Sequence, residues 1–336
     1  MEPYNDGWLY SGSACERLAN KSAIGRKIGE KLLLSSAEVI FCHNHRHLDW
    51  PYDNWFEEEI IKNPNLINES IIIEALRVPG NKLKLIQILG EGENILFTEG
   101  TWGLRWNSNN HPRKDEPESE VRWFHSSDII DREKLLLWAE NVNTNGRRAE
   151  VLIVDNEQAV VTYNITSENP KGDLLPPSKK VIDKIGNYER KIIDNGRIFL
   201  KYGNEWPCDQ IGIDYDEGRI IDEISNHFIT LDESKWSLEV KVYANLLERG
   251  LHPRPGFKYG TLWRCYDQKI GTDHAPWLIV NPSTSTVDWE SACLASRLAS
   301  GVNKIWLQPL EINSKWYYLG IVRPPANSRW TNPVKK

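Results

Sequence analysis

Two stretches far apart in the chain share one pattern, and this repetition constrains the fold more than any other feature. Glu99-Gly100-Thr101-Trp102-Gly103-Leu104-Arg105-Trp106 parallels Tyr259-Gly260-Thr261-Leu262-Trp263-Arg264-Cys265-Tyr266. Each is followed by the same series: a short apolar run of strand type, a helix closed by glycine, and a β-rich hairpin. In the first half these are residues 122–125, 128–145 before Gly146, and 150–154 with 159–165. In the second half they are 276–280, then 287–300 before Gly301 with Ser285 and Asp288 spaced as a capping box, then 304–307 with 316–322. A repeated order of elements predicts one α/β plan used twice in tandem. Each copy is preceded by a region with its own pattern, 8–88 and 180–228. The Pro-, Gly- and polar-rich stretch 167–178 between the halves reads as a linker.

The 336 residues suffice for roughly two globular units with separate cores. No apolar run reaches the ~18 residues a membrane span requires, so a membrane partner is not expected. Met1 to Gly7 lacks a basic stretch followed by an apolar core, so no secretory signal is expected and the location is read as cytoplasmic. Five scattered cysteines without a C-x-x-C pair argue for reduced thiols over a disulfide framework or zinc ribbon. His43-Asn44-His45-Arg46-His47 would put three imidazoles on one side of a strand, a pattern that suits zinc or nickel, but no partner cluster accompanies it. Neither a metal nor a cofactor is expected.

The net charge of −6 hides an asymmetry. From Glu239 onward there are 13 Lys and Arg against 7 Asp and Glu, whereas the preceding part carries 28 against 40. A locally basic surface attracts anions whatever the total, because the field decays over a Debye length of ~10 Å, so phosphate is a live ligand class. The 15 tryptophans and 12 tyrosines, Trp316-Tyr317-Tyr318 among them, read as core and interface aromatics.

The most informative passage begins with a helix at 239–250, which places Val242 and Leu246 on one face and stops at Gly250. It continues through Gly256-Phe257-Lys258-Tyr259-Gly260 to Arg264-Cys265-Tyr266, then His274 before an apolar strand, then Arg297-Leu298-Ala299 and Lys304. This ordered set resembles the archaeal tRNA-splicing endonuclease (tRNA-intron lyase) family, over roughly 239–323. Two copies with the intact one last are similar to the subclass that works as a homodimer of two-unit chains. The resemblance implies an α/β tandem duplication. Each repeat would have an N-terminal mixed α/β domain and a C-terminal α/β nuclease-like domain with a central β-sheet flanked by helices. The expected boundaries are 1–88 and 89–168 for a degenerate repeat, 169–179 for the linker, 180–238 and 239–326 for the catalytic one.

The resemblance puts Tyr266, His274 and Lys304 on the catalytic positions, and the chemistry is coherent by itself. Attack of a ribose 2′-hydroxyl on its neighbouring phosphate needs a base, an acid for the departing 5′-oxygen, and positive charge at the nonbridging oxygens. With Tyr266, His274 and Lys304 in those roles, precursor tRNA would be cut at bulge-helix-bulge motifs to 2′,3′-cyclic phosphate and 5′-hydroxyl ends without a metal. A phenol of ordinary pKa ≈ 10 needs a cation such as Lys304 close by to serve as the base. Arg297 and Arg323 match the arginines that sandwich a bulged base, and the loop 310–315, which precedes the strand leading to Arg323, reads as long. Asp155 and Glu157, in an acidic hairpin turn, match the loop that the inactive copy lends to the partner subunit. Aligning Trp123 with Trp277 puts Glu120 opposite His274, the Arg105 region puts Asn107 opposite Tyr266, and the strands put Glu150 opposite Lys304, so the first copy is expected to be inactive. The competing reading is a noncatalytic RNA-binding or scaffolding subunit of a tRNA-processing complex.

Overall fold

Each half of the chain builds one four-stranded antiparallel sheet and one larger sheet of five strands in the same order. The computed structural model describes residues 1–5, 7–90, 95–202, 205–284 and 288–333. It divides into two compact units, one of Met1–Thr166 with Asp288–Glu290 and the residues from Arg323 on, the other of Ser167–Val287 with Ser291–Val322. Among the described residues no helix is long and apolar enough to cross a membrane.

The first unit opens with β1 (Glu2–Tyr4), β2 (Gly7–Tyr10), α1 (Cys15–Ser22), β3 (Arg26–Ile28) and β4 (Lys31–Leu34), whose sheet runs β1-β2-β4-β3. Helices α2 (Ser36–Arg46), α3 (Trp55–Lys62) and α4 (Leu66–Arg77) follow. The larger sheet is β5 (Lys82–Leu85), β6 (Gly103–Trp106), β7 (Ser119–His125), β8 (Arg148–Val154) and β9 (Val160–Glu168), with α5 (Arg132–Thr144) joining the parallel pair β7 and β8. Leu83, Leu85, Val121, Leu152 and Val154 bury the inner face of this sheet in a core shared with α2 and α4.

The second unit begins with α6 (Lys179–Gly186) and the sheet of β10 (Glu189–Ile192), β11 (Ile198–Lys201), β12 (Ile213–Tyr215) and β13 (Gly218–Ile221), ordered β10-β11-β13-β12. Helices α7 (Glu223–Thr230) and α8 (Leu238–Glu248) lead to β14 (His252–Pro255), β15 (Trp263–Tyr266), β16 (Trp277–Ile279), α9 (Trp289–Gly301), β17 (Ile305–Ile312) and β18 (Lys315–Val322). These five strands again lie in sequence order, antiparallel except for the parallel pair β16 and β17. Trp263, Cys265, Ile279, Leu307 and Tyr318 form its buried face against Val242, Tyr243 and Leu246 of α8.

Local chemistry explains the boundaries. Ser237 caps α8 by accepting from the Val240 amide at 3.4 Å. The helix stops where Gly250 turns to φ +73, and a Cβ there would meet the Gly172 carbonyl oxygen at 2.5 Å. That close approach corrects the linker reading of 167–178. The Gly172 and Leu174 amides donate to the Arg249 and Gly250 carbonyls at 2.9 and 3.1 Å, so this stretch is pinned to the second unit as irregular but hydrogen-bonded backbone.

The His43–His47 stretch is not a strand. It lies on the C-terminal half of α2, where the step of about 100° per residue turns alternate residues away from one another. His43 stacks on Trp50 at 3.8 Å, and His45 pairs with Glu74 at 2.6 Å. The expected long loop at 310–315 is a two-residue turn: Asn313 and Ser314 have φ of 50 and 61, the geometry of a tight hairpin, and Ile312 faces Lys315 directly. Of the helix cap expected before α9, Ser285 and Val287 lie outside the described residues.

Candidate active site

Alternation along β15 sorts its side chains between two faces. Trp263 and Cys265 are buried in the core, whereas Arg264 and Tyr266 point to the opposite face and are half exposed. Tyr266 ends the strand directly across from His252 of β14, and Cys265 lies across from Trp277 of β16. One step further along, the Ile305 amide donates to the Pro276 carbonyl at 2.9 Å, which extends the parallel pairing to the residue before each strand. A single row therefore crosses the end of the sheet through His252, Tyr266, Pro276 and Lys304. With neighbouring strands ~4.8 Å apart, Tyr266 and Lys304 are separated by one strand, β16, and so by two spacings, or about 10 Å between their backbones.

His274 lies two residues before Pro276, in an exposed loop where its own amide donates to Asp273 Oδ1 at 2.6 Å. Lys304 is 9% exposed, and its ammonium donates to the carbonyl of Ala275, the residue that follows His274. Its Nζ also lies 5.6 Å from the centroid of the Tyr259 ring, a cation–π distance. The lysine thus ties the histidine loop to the sheet end while retaining donor capacity, since an ammonium has three N–H groups. The structure brings the expected trio to one end of one sheet: phenol and ammonium on a common row, imidazole on the loop above it. Both Gly100 (φ +80) and Gly260 (φ +65) open the turn before the matched strand with positive φ, which accounts for glycine in both copies.

Arg297 is exposed on α9 and Arg323 is half-buried after β18. The Asp155 carboxylate accepts from the Glu157 and Ala159 amides at 2.9 and 2.8 Å, so it folds its own turn, while Glu157 is exposed at the tip. Sequence reasoning did not find His252 and Arg264, which flank Tyr266. The Arg264 guanidinium carbon lies 5.8 Å from the centre of the Tyr266 ring, and the His252 ring lies 6.4 Å from it. An Arg two residues before the Tyr on a strand signals a shared face, but the facing of His252 depends on hairpin register.

The register also corrects the alignment of the first copy. In the first unit Lys82 faces Trp106, Arg105 faces Ser119, and Ser119 pairs in parallel with Arg148. The Arg148 amide donates to the Glu118 carbonyl at 3.1 Å, mirroring the bond from Ile305 to Pro276. Ser119 therefore matches Trp277, which Trp123 had been assigned, and the catalytic row maps onto Trp106, Glu116 and Arg147 in place of Asn107, Glu120 and Glu150. The indole Nε1 of buried Trp106 donates to the Asp115 carbonyl at 2.8 Å. Arg147 pairs with Glu116 at 3.0 Å and with Glu120 at 3.1 Å.

Residues 237–313 match the family model of the tRNA intron endonuclease catalytic C-terminal domain. The tRNA-splicing endonuclease of Thermoplasma volcanium is 32% identical over 34% of this chain, and the match spans only 38% of that relative. Those of Methanococcoides burtonii and Picrophilus torridus are each 23% identical. The former match covers 96% of this chain and 98% of that relative, the latter 88% and 86%. The tRNA intron endonuclease catalytic domain is present in this chain, and it is an enzyme domain.

Proposed function

We propose that this chain is a metal-independent endoribonuclease that excises introns from precursor tRNA at bulge-helix-bulge motifs. The observation that carries the reading is the row Tyr266–Pro276–Lys304 with His274 on the adjoining loop, inside the region that matches the catalytic domain. Tyr266 takes the proton of a ribose 2′-hydroxyl as O2′ bonds to the adjacent phosphorus. Lys304 faces the negative charge that develops on the nonbridging oxygens, and His274 gives a proton to O5′ as the P–O5′ bond breaks. The products are a 2′,3′-cyclic phosphate and a 5′-hydroxyl. The gap of about 10 Å between the backbones of Tyr266 and Lys304 is wide enough to admit a phosphodiester.

In this reading the two units come from a tandem duplication, supported by their shared strand order and register. The first is catalytically silent because an ion pair and a buried tryptophan occupy its acid, cation and base positions. The boundaries 1–88, 89–168, 180–238 and 239–326 belong to the same proposal, as does a homodimer in which Asp155 and Glu157 form an interface loop. Since Asp155 is committed to its own turn, Glu157 is the residue of the pair that meets the partner. Arg297 and Arg323 contact the RNA.

The test is cleavage of an end-labelled bulge-helix-bulge RNA in excess EDTA by wild type and His274→Ala, with the product ends identified. Cyclic phosphate ends that disappear in the variant are expected. Binding without cleavage by wild type would move the assignment to a scaffolding subunit, and EDTA-sensitive cutting to 5′-phosphate ends would move it to a metal nuclease.

A further inference from the structure

Of the three groups assigned to the reaction, Lys304 alone is buried; Tyr266 is half exposed and His274 exposed. The Lys304 ammonium has two neighbours: it donates to the Ala275 carbonyl, and its Nζ lies over the Tyr259 ring, 5.6 Å from the centroid. Among the described residues no carboxylate pairs with it. The first unit solves the same problem in another way. Arg147, at the row position of Lys304, pairs with the Glu116 and Glu120 carboxylates at 3.0 and 3.1 Å, and the position of Tyr259 is held by Glu99. The two turns match in register as well as in sequence, for the Ile86 amide donates to the Trp102 carbonyl as the Gly256 amide does to that of Leu262, both at 3.0 Å.

Local bonds hold that ring in place. Phe257–Tyr259 is a single short turn of 3₁₀ helix between β14 and β15, and the Tyr259 amide donates to the Gly256 carbonyl at 2.8 Å. The Thr261 hydroxyl donates to the Trp263 carbonyl at 3.2 Å, which ties the end of the turn to the start of β15. Phe257 is 90% exposed and Lys258 is exposed, whereas Tyr259 is half-buried. Of the three residues in the turn, Tyr259 is the one that reaches the lysine.

The partner that holds a buried ammonium decides how much of its charge a phosphate feels. A carboxylate cancels that charge where the nonbridging oxygens become more negative, as the glutamates do at Arg147. The face of an aromatic ring attracts a cation through its quadrupole and carries no net charge, so the full positive charge stays available to the transition state. We infer that Tyr259 is a positioning residue for Lys304: its ring face and the Ala275 carbonyl hold the ammonium at the sheet end and leave an N–H for the nonbridging oxygens of the scissile phosphate. The inference rests on the catalytic reading of Lys304. The effect belongs to the ring and not to the phenolic hydroxyl, so phenylalanine serves in its place.

Two measurements test this. In single-turnover cleavage of a bulge-helix-bulge RNA, Tyr259→Leu should lower the rate at saturating RNA roughly tenfold with the half-saturating concentration nearly unchanged, while Tyr259→Phe stays within about twofold of wild type. On the residual cleavage of Lys304→Ala, adding Tyr259→Leu should cost nothing further, since the ring acts through the lysine. Tyr259→Leu at the wild-type rate overturns the inference. So does a loss in Tyr259→Phe as large as in Tyr259→Leu, which would assign the role to the hydroxyl, or a loss that persists undiminished beside Lys304→Ala, which would make the ring merely structural. The second measurement needs no RNA: the ε-methylene protons of Lys304, assigned by comparison with Lys304→Ala, are followed by NMR in the full chain. An upfield ring-current shift in wild type and Tyr259→Phe, relaxed in Tyr259→Leu, supports the contact, and its absence in wild type overturns it. If wild type cuts no RNA, the catalytic reading has failed and the positioning role falls with it, while the NMR shift still decides whether ring and ammonium meet.

Discussion

The sheet β5 to β9 and the sheet β14 to β18 share strand order, direction and hydrogen-bond register, yet their equivalent ends carry opposite chemistry. In the second unit the row holds a half-exposed phenol, a lysine tied to one carbonyl and a histidine on an open loop. In the first it holds a buried indole and an arginine paired with two glutamates. Even the core differs at one position: Cys265 is a small apolar residue, whereas its equivalent Arg105 is 1% exposed and held by Glu150 at 2.6 Å, Glu118 at 3.1 Å and the face of Trp330. The same backbone plan thus carries different chemistry at the equivalent end of each unit, because register places side chains without deciding what they are.

The sharpest way to break the comparison is to remove equivalent residues. His274→Ala should lower cleavage by about 10²- to 10⁴-fold, the usual contribution of a general acid, while Glu116→Ala at the matching position leaves single-turnover cleavage unchanged. A loss of similar size in both would show that the first unit is not silent. Next in size is the buried charge. Arg105→Met leaves Glu150, itself 2% exposed, without its closest cation, and should destabilise the first unit by about 3–5 kcal/mol in urea unfolding. Cys265→Ala in the second unit should cost clearly less, since no ion is stranded.

Acid should then separate the units through His252. Burial, and then the charges of Arg254 and Arg219, push its folded pKa from the ordinary 6.5 down to about 3, so below pH 6.5 the unfolded chain takes up a proton that the folded chain refuses. Stability from this group is complete above pH 6.5 and is lost as pH falls toward 3, by an amount on the order of a few kcal/mol. His252→Gln should remove that slope from the unfolding of the second unit. The matching residue in the first unit is Lys82, which carries no imidazole. The smallest effects belong to the two hairpins. Ser314→Gly relieves a non-glycine residue at φ 61 and should stabilise by up to about 1 kcal/mol, while Asp155→Ala removes two turn hydrogen bonds and should cost about 1 kcal/mol. Thermal unfolding of the two variants checks both signs.

The sequence alone determined the order of elements from residue 122 to 165 and from 239 to 322, because strand runs, helix stops at Gly146, Gly250 and Gly301, and the Gly-Thr turn motif are local signals. It also offered the candidate trio Tyr266, His274 and Lys304, which the family resemblance implied and whose chemistry is coherent for phosphodiester cleavage. The strand register moves the first unit's equivalent of Tyr266 from the expected Asn107 to Trp106. Tertiary structure decided what depends on pairing between distant residues. The first copy's equivalents shifted from Glu120 and Glu150 to Glu116 and Arg147, because β7 has seven residues where β16 has three, and a matching tryptophan is a poor guide to register. The histidine stretch became helix once α4 packed against α2, and the linker became bonded backbone once Gly250 let residues 172–174 approach. The facing of His252 and Tyr266 across β14 and β15 is invisible along the chain, since a cross-strand neighbour is set by hairpin register and a one-residue slip would turn a strand's side chains to the other face.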